Sequence, residues 1–223
     1  MLLAARATGS TFARGGTARW RLLGEIVLFC AILGGTWRAL PWKPRPAHDA
    51  AVLVLGLAAG WAAEAWGTRL GLWHYYTGER PPLWIVPAWP LGAALIDRLG
   101  ERARSRFGRA PAAAYWGTAL AVTAGCLAFS GPWLGAPAGW LGAAAVAAAL
   151  FSSRDPGADA WPLWAGLACV FFADLWGTTN GCWAYWLRGR PGGLWLGIGF
   201  GMAFDAAVAL GCLRAARAAV SAA

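Results

Sequence analysis

The same short segment is written twice in this chain, and each copy places a carboxylic acid inside an apolar stretch. The first copy reads Glu64-Ala-Trp66-Gly67-Thr68-x-x-Gly71-x-Trp73-x-Tyr75 and the second reads Asp174-Leu-Trp176-Gly177-Thr178-x-x-Gly181-x-Trp183-x-Tyr185. The Trp, Gly, Thr and Tyr positions are identical, and the first position is acidic in both. A duplication on this scale predicts a fold built from two related units.

Apolar residues make up 59% of the 223 residues and charged residues only 13%, in long charge-free stretches between short Arg- and Pro-containing segments. This pattern predicts an all-α, polytopic membrane protein. Each predicted span is long enough to cross the hydrocarbon core, which needs about 20 residues. The seven predicted spans cover residues 22–41, 50–68, 82–98, 111–130, 133–152, 161–178 and 193–213.

The two copies end the second and the sixth predicted spans. Because four helices separate them, both copies have the same orientation across the membrane, so the repeats are parallel. We therefore predict a 3+1+3 bundle. Its parts are a basic tail (1–19), a first three-helix repeat (20–108), a connector helix (109–131), a second repeat (132–213) and a C-terminal tail (214–223).

Small and helix-breaking residues refine this plan. Glycines at spacing four lead to an acid in two spans, as Gly56 and Gly60 lead to Glu64, and such stripes let helices pack closely in lipid. A second stripe consists of Gly193, Gly197 and Gly201, followed by Asp205. Pro87 and Pro90 lie inside the third predicted span and predict a kink there.

The net charge of +9 comes mostly from arginines in tails and loops, which favours anionic lipid headgroups as partners and not nucleic acid. The densest arginine cluster lies between Arg98 and Arg109, and placing that loop inside also places the C-terminus in the cytoplasm. We expect an integral protein of a bacterial inner (plasma) membrane. The oligomeric state is left open.

Neither a metal nor a cofactor is predicted. The five cysteines lie in or beside apolar spans without Cys-x-x-Cys spacing, and His48 and His74 are the only histidines. Buried cysteine usually packs as a small apolar residue. The sequence contains no glycine-rich phosphate loop and no Ser-His arrangement that would favour another chemistry.

Four acids in or at the ends of predicted spans are the candidate catalytic residues: Glu64, Asp97, Asp174 and Asp205. An acid at membrane depth is costly and usually faces the bundle interior for a functional reason. Structural ion pairing is the alternative, with Arg69, Arg80, Arg188 or Arg190 as partners of Glu64 and Asp174. For Asp97, followed directly by Arg98, interfacial anchoring is a comparable explanation.

A buried, uncharged carboxylic acid can donate a proton to an apolar guest, and the most obvious guest is an alkene dissolved in lipid. Protonation of an isoprenoid alkene gives a tertiary carbocation, which aromatic faces stabilise by cation–π attraction. Interfacial aromatic belts are the alternative explanation for these rings. The candidate substrate-binding residues are Trp66, Trp73, Tyr75, Trp176, Trp183 and Tyr185.

The motifs also resemble known families. Glu64-x-x-Gly67-x-x-x-Gly71-x-x-x-Tyr75-Tyr76-Thr77, followed by Val86-Pro87-x-Trp89, resembles the signature of membrane-bound carotenoid hydratases of the bacterioruberin and acyclic carotenoid pathways. The Gly181-x-Trp183-x-Tyr185 segment is similar to a later segment of those proteins. The predicted plan is similar to the lycopene cyclase domain, and the acids in spans two and seven are similar to those of small seven-helix terpene cyclases. These resemblances imply an enzyme that protonates an isoprenoid alkene, with Glu64 and Asp205 as matching acids.

The sequence therefore predicts a cofactor-independent carotenoid or terpenoid hydratase or cyclase acting on a lipophilic isoprenoid. A proton-coupled small-molecule transporter is the main rival, because parallel three-helix repeats with intramembrane acids suit transport equally well. A non-catalytic membrane scaffold is the third possibility, since architecture alone does not fix function.

Overall fold

The computed structural model describes residues 34–130, 137–187, 190–191 and 194–221, together with isolated positions 23, 27, 30 and 31. The described chain is mostly helical, at 79%, with seven helices. They are α1 (residues 34–39), α2 (Pro46–Leu70), α3 (Ala88–Phe107), α4 (Ala112–Ser130), α5 (Pro137–Phe151), α6 (Pro156–Thr179) and α7 (Leu194–Ser221).

Four of these helices are long and apolar enough, by length and composition, to cross a membrane. They are Pro46–Leu70, Ala112–Phe129, Pro156–Thr179 and Leu194–Ser221. The prediction of a helical chain with membrane-spanning segments is therefore confirmed at this level. The seven-span count and the 3+1+3 plan stay predictions, and the predicted tail 1–19 lies outside the described residues.

Local sequence explains where the two motif-bearing helices begin and end. Pro46 and Pro156 each occupy the first turn, where a missing backbone N–H costs nothing. The Asp155 side chain accepts a hydrogen bond from the Ala158 backbone N–H at 3.1 Å and caps α6. Helix α2 ends at Gly71, whose φ of 71° is the left-handed conformation that glycine adopts without strain.

The third predicted span is displaced in the structure. It was predicted at 82–98, with a kink at its two prolines, but α3 begins at Ala88 and continues to Phe107. Pro87 is the N-cap and Pro90 lies in the first turn, so neither removes a hydrogen bond from the helix interior. The kink prediction was wrong, because the prolines start this helix.

The prediction of an all-α chain was also incomplete, since short strands follow both motif-bearing helices. They are β1 (Trp73–Tyr75), β2 (Trp183–Leu187) and β3 (Arg190–Pro191), which form a small antiparallel sheet in the order β1-β2-β3. Strands β1 and β2 come from different copies of the motif. The sheet therefore joins the two related halves directly.

Helices α2, α3, α6 and α7 form a ring in which each helix packs against the next, and α4 and α5 pack on the α7 side. Glycines permit the closest approaches within this ring, as predicted from their spacing. A Cβ added to Gly56 would lie 2.8 Å from the Cα of Pro90, and one added to Gly60 would lie 2.3 Å from the indole of Trp89. Gly193 of the predicted stripe lies outside the described residues.

Candidate functional site

The first copy of the motif surrounds its acid with three hydrogen-bond donors. The Trp73 indole N–H donates to Glu64 Oε2 at 2.9 Å, and the Tyr75 hydroxyl donates to Oε1 at 2.8 Å. A third donor, the Trp89 indole N–H, reaches Oε1 from α3 at 3.2 Å. Glu64 is only 3% exposed, so both of its oxygens are buried and both accept hydrogen bonds.

The second copy repeats two of these bonds. The Trp183 indole N–H and the Tyr185 hydroxyl both donate to Asp174 Oδ1, at 3.2 and 2.8 Å. Asp174 is also 3% exposed. Its other oxygen, Oδ2, is buried and has no hydrogen-bond partner among the described residues.

The strands explain how the Trp-x-Tyr spacing produces this geometry. Side chains two apart on a strand lie on the same face, so each strand presents its Trp and its Tyr together. Strands β1 and β2 pair in the register Trp73 with Tyr185 and Tyr75 with Trp183. Each strand end is secured by an equivalent bond, Tyr76 N to Cys182 O at 3.1 Å and Trp186 N to Leu72 O at 2.8 Å. The two copies are therefore related by an approximate two-fold axis through this pair.

Two motif glycines make room for the indole rings. A Cβ added to Gly67 would lie 1.8 Å from the ring of Trp73, and one added to Gly177 would lie 1.9 Å from the ring of Trp183. Any side chain at these positions would therefore push the indole away from its acid. This explains why the glycine belongs to the repeated pattern.

Burial raises the pKa of the Tyr75 and Tyr185 hydroxyls, in the strands after the helices, well above the usual tyrosine value. Burial penalises the charged phenolate, and the neighbouring acids oppose it further. Both tyrosines are therefore held as neutral phenols that donate to their acids, and neither is suited to act as a base.

The two motif acids, each with its Trp and Tyr donors, face one cavity of about 350 Å³ between the halves, a size typical of small-molecule sites. Its walls are mainly apolar, with contributions from α3, α6 and α7 as well as the strands. No Lys, Arg or His lines it among the described residues. Its functional groups are Glu64, Asp174, Asp205, Trp73, Tyr75, Trp89, Trp183, Tyr185, Phe200 and Phe204.

Asp205 enters this cavity from α7. It makes no hydrogen bond or ion pair with any described residue, and it lies near enough to Asp174 and Glu64 for their charges to interact. Gly201, one turn earlier, is packed against Asp174 and Tyr185, since an added Cβ would lie 2.2 Å from Asp174 Oδ2. The structure thus brings three of the four predicted acids to one cavity.

The fourth predicted acid, Asp97, lies elsewhere. It pairs with Arg45 and with Arg98, and it lies 3.4 Å from His48 Nε2. Asp97 does not line the cavity. Its surroundings are those of an ion-pair cluster.

Two of the six predicted aromatic residues do not line the cavity. Trp66 stacks on Phe204 with ring centroids 5.1 Å apart and covers Gly142 of α5, whose added Cβ would lie 2.2 Å from the indole. Trp176 is likewise absent from the lining. The other four, Trp73, Tyr75, Trp183 and Tyr185, line the cavity.

Ion pairing of the central acids with nearby arginines is absent from the described structure. Within that part of the chain, Glu64 and Asp174 contact indole and phenol donors and no cationic side chain. Arg188 and the side chain of Arg190 lie outside the described part of the chain. The described residues also contain no group of three His, Cys, Asp or Glu side chains placed to hold a metal ion.

Sequence reasoning did not place Trp89, Phe200 and Phe204 in the site. Phe200 and Phe204 stack with centroids 5.7 Å apart, and both pack near Trp73. Their spacing of four, beside the stripe that leads to Asp205, was the available signal. Trp89 offered no spacing signal, because its contact with Glu64 depends on how α3 packs on α2.

Comparison with known proteins gives no relative from which a role could be transferred. No protein-family model, no curated protein and no solved structure matches this chain. The chemistry of the site must therefore be argued from its own residues.

Proposed function

We propose that this protein is a membrane-embedded enzyme that protonates an alkene of a lipophilic isoprenoid, acting as a carotenoid or terpenoid hydratase or cyclase. The observation that carries the proposal is the cavity itself, in which three carboxyl groups and several aromatic faces meet between apolar walls. A water-soluble substrate would gain little from such walls. An isoprenoid segment would bury its hydrocarbon there.

The cavity supplies the two requirements of alkene protonation. A carboxylic acid donates the proton, forming a C–H bond and leaving a tertiary cation on the neighbouring carbon. The indoles of Trp73 and Trp183 and the ring of Phe200 provide faces that attract the cation. Water then adds and loses a proton to the carboxylate, or a second alkene closes a ring and an adjacent C–H returns the proton.

The same proposal includes the seven-span, 3+1+3 arrangement with the C-terminus in the cytoplasm of a bacterial cell. Helices α2 and α6 lead directly into the paired strands β1 and β2, so both helices finish at the same end of the bundle, which supports parallel repeats. Under this arrangement the strands close one end of the cavity. The substrate would then reach the acids from within the bilayer.

The test is the product profile of a host that makes candidate carotenoid and terpenoid precursors. We expect the wild-type protein to yield a hydrated or cyclised product, and isolated membranes given an unlabelled precursor in heavy water to place one carbon-bound deuterium in it. Glu64→Gln and Asp174→Asn should each abolish it, whereas Asp97→Asn, outside the cavity, should not. Unchanged profiles with both cavity variants would contradict the proposal.

A proton-coupled carrier is the second candidate, favoured by the position of the acids at the centre of two parallel halves. It predicts uptake of a substrate into sealed vesicles that is driven by a proton gradient. The same Glu64→Gln and Asp174→Asn substitutions would abolish uptake, and no chemically altered product would form.

A further inference from the structure

The two halves of the site hold their motif acids with the same Trp and Tyr donors, but the side chain that the following helix places beside each acid differs. Two sets of contacts align the helices that follow the motifs. Gly56 packs on Pro90 just as Gly166 packs on Ala206, and their added Cβ atoms would approach within 2.8 and 3.1 Å. Gly56 and Gly166 each lie eight residues before their motif acid, so their contact residues Pro90 and Ala206 are equivalent positions, 116 residues apart in the sequence.

Ion pairs at the other end of these helices give the same alignment. Arg98 on α3 pairs with Asp49 on α2 at 2.6 Å, and Arg214 on α7 pairs with Asp159 on α6 at 3.4 Å. The shift from Arg98 to Arg214 equals that from Pro90 to Ala206. By this alignment the counterpart of Trp89 is Asp205.

This difference changes what each motif acid contacts. In the first half Trp89 completes a set of three donors that occupies both oxygens of Glu64. In the second half the equivalent side chain, Asp205, is itself an acid, and Asp174 Oδ2 is buried without a partner in the described structure. Three N–H and O–H donors to both oxygens suit an ionised carboxylate. From the described residues, Asp174 and Asp205 together receive only the two donors to Asp174 Oδ1, and two neighbouring carboxyl groups so placed do not both remain ionised.

The other groups around this pair do not offer a compensating positive charge. Facing it are Glu64 from α2, Tyr75 from β1, Tyr185 from β2 and Cys126 from α4, which are acidic or neutral. No cationic side chain lines the cavity in the described part of the chain. Two full negative charges on the pair would therefore be unbalanced in an apolar setting.

We propose that Asp174 and Asp205 hold one proton between them and act as the acid of the site, while Glu64 is a fixed carboxylate that stabilises the cation. This division rests on the proposed function. During the reaction the O–H bond of the pair breaks, its proton bonds to one alkene carbon through the π electrons, and the neighbouring carbon becomes cationic. The proton lost by the captured water, or by a C–H bond next to the closed ring's cation, returns to the pair.

The protonated acid can be observed without any substrate. A protonated carboxyl group has an infrared carbonyl band that a carboxylate lacks and that shifts in heavy water. We expect this band in purified wild-type protein in lipid nanodiscs at neutral pH, and we expect it to persist in Glu64→Gln and in the control Asp97→Asn. Asp174→Asn and Asp205→Asn should each lose it, while Asp205→Glu, which keeps the pair, should retain it.

A band that disappears with Glu64→Gln and is unchanged in both aspartate variants would overturn the division of roles. If Asp174→Asn does not fold, as judged by gel filtration and circular dichroism, Asp205→Asn and Asp205→Glu decide the question alone. Failure of the enzyme proposal looks different, since the band would follow Asp174 and Asp205 as expected but no host would form a product.

Discussion

The two halves of the site begin with the same motif, but the α3 helix completes one with an indole and the α7 helix completes the other with an acid. The first half has an acid whose oxygens are both occupied by Trp73, Tyr75 and Trp89. The second half leaves Asp174 Oδ2 open beside Asp205. The difference teaches that a duplicated framework can keep its positioning bonds while the surroundings of its two acids diverge.

The largest expected effect tests the position at which the halves differ. Asp205→Asn should lower the rate of product formation by about 100-fold or more, which is the usual contribution of a general acid. Trp89→Phe removes only one of three donors to Glu64 and should lower the rate less than about 10-fold. Initial rates in membranes with matched protein levels measure both, and equal losses would show that the two positions are functionally equivalent.

Removing the acid from each ion pair at the other end of the bundle should also lower the free energy of unfolding unequally in the two halves. Asp159→Asn leaves both Arg214 and Arg217 without their acid and should lower the free energy of unfolding by about 2–3 kcal/mol. Asp49→Asn should cost about 1 kcal/mol, because Arg98 keeps Asp97 at 3.0 Å.

Unfolding in mixed micelles with increasing dodecyl sulfate measures this difference between the two aspartates. Neither variant lies near the cavity, so product formation per folded protein should be unchanged. A larger loss for Asp49→Asn would contradict this ranking, which depends on Arg98 keeping Asp97 as a partner.

The motif glycines should behave alike in the two halves. Gly67→Ala and Gly177→Ala each place a methyl group inside an indole ring and should destabilise the protein by about 1–3 kcal/mol. Gly117→Ala is the matched control, since its Cβ would meet nothing within 4 Å. Tryptophan fluorescence followed through the same unfolding titration reports the loss, and a clear asymmetry between the two glycines would weaken the two-fold relation.

The smallest expected effect concerns the phenol donors. Tyr185→Phe removes one of two bonds to Asp174, whereas Tyr75→Phe removes one of three to Glu64, so Tyr185→Phe should reduce the rate more, by about 10-fold. Tyr76→Phe is the control, because that side chain is half exposed. Rates measured beside the Trp89→Phe variant place all three donors on one scale, and a greater loss for Tyr75→Phe would reverse the proposed ranking.

The sequence predicted the duplicated acids and the aromatic residues that cradle them, because identical local patterns produce identical local geometry. It also predicted helices at α2, α4, α6 and α7 from their apolar length. The strands could have been read from the alternation of Trp73 and Tyr75, but three residues are too few to distinguish a strand from a loop without their partner.

The prediction was wrong where packing between helices determines which way a side chain points and which positions are equivalent. Trp66 lies next to the motif acid in sequence, yet the helix turns its side chain toward Gly142 of α5. Sequence spacing alone does not match Trp89 with Asp205, because Asp205 lies 20 residues after Tyr185 whereas Trp89 lies 14 residues after Tyr75. Only contacts such as Gly166 with Ala206 reveal the correct alignment.

The pairing of β1 with β2 has a consequence for each half taken alone. Each short strand has one edge that only the other half satisfies, and the matched residues are the same in both directions. A single three-helix unit carrying this segment would have to meet a second copy of itself to cover that edge. The two halves of this chain meet in that way, and they keep the shared strand pair although one half presents Trp89 and the other Asp205 beside its motif acid.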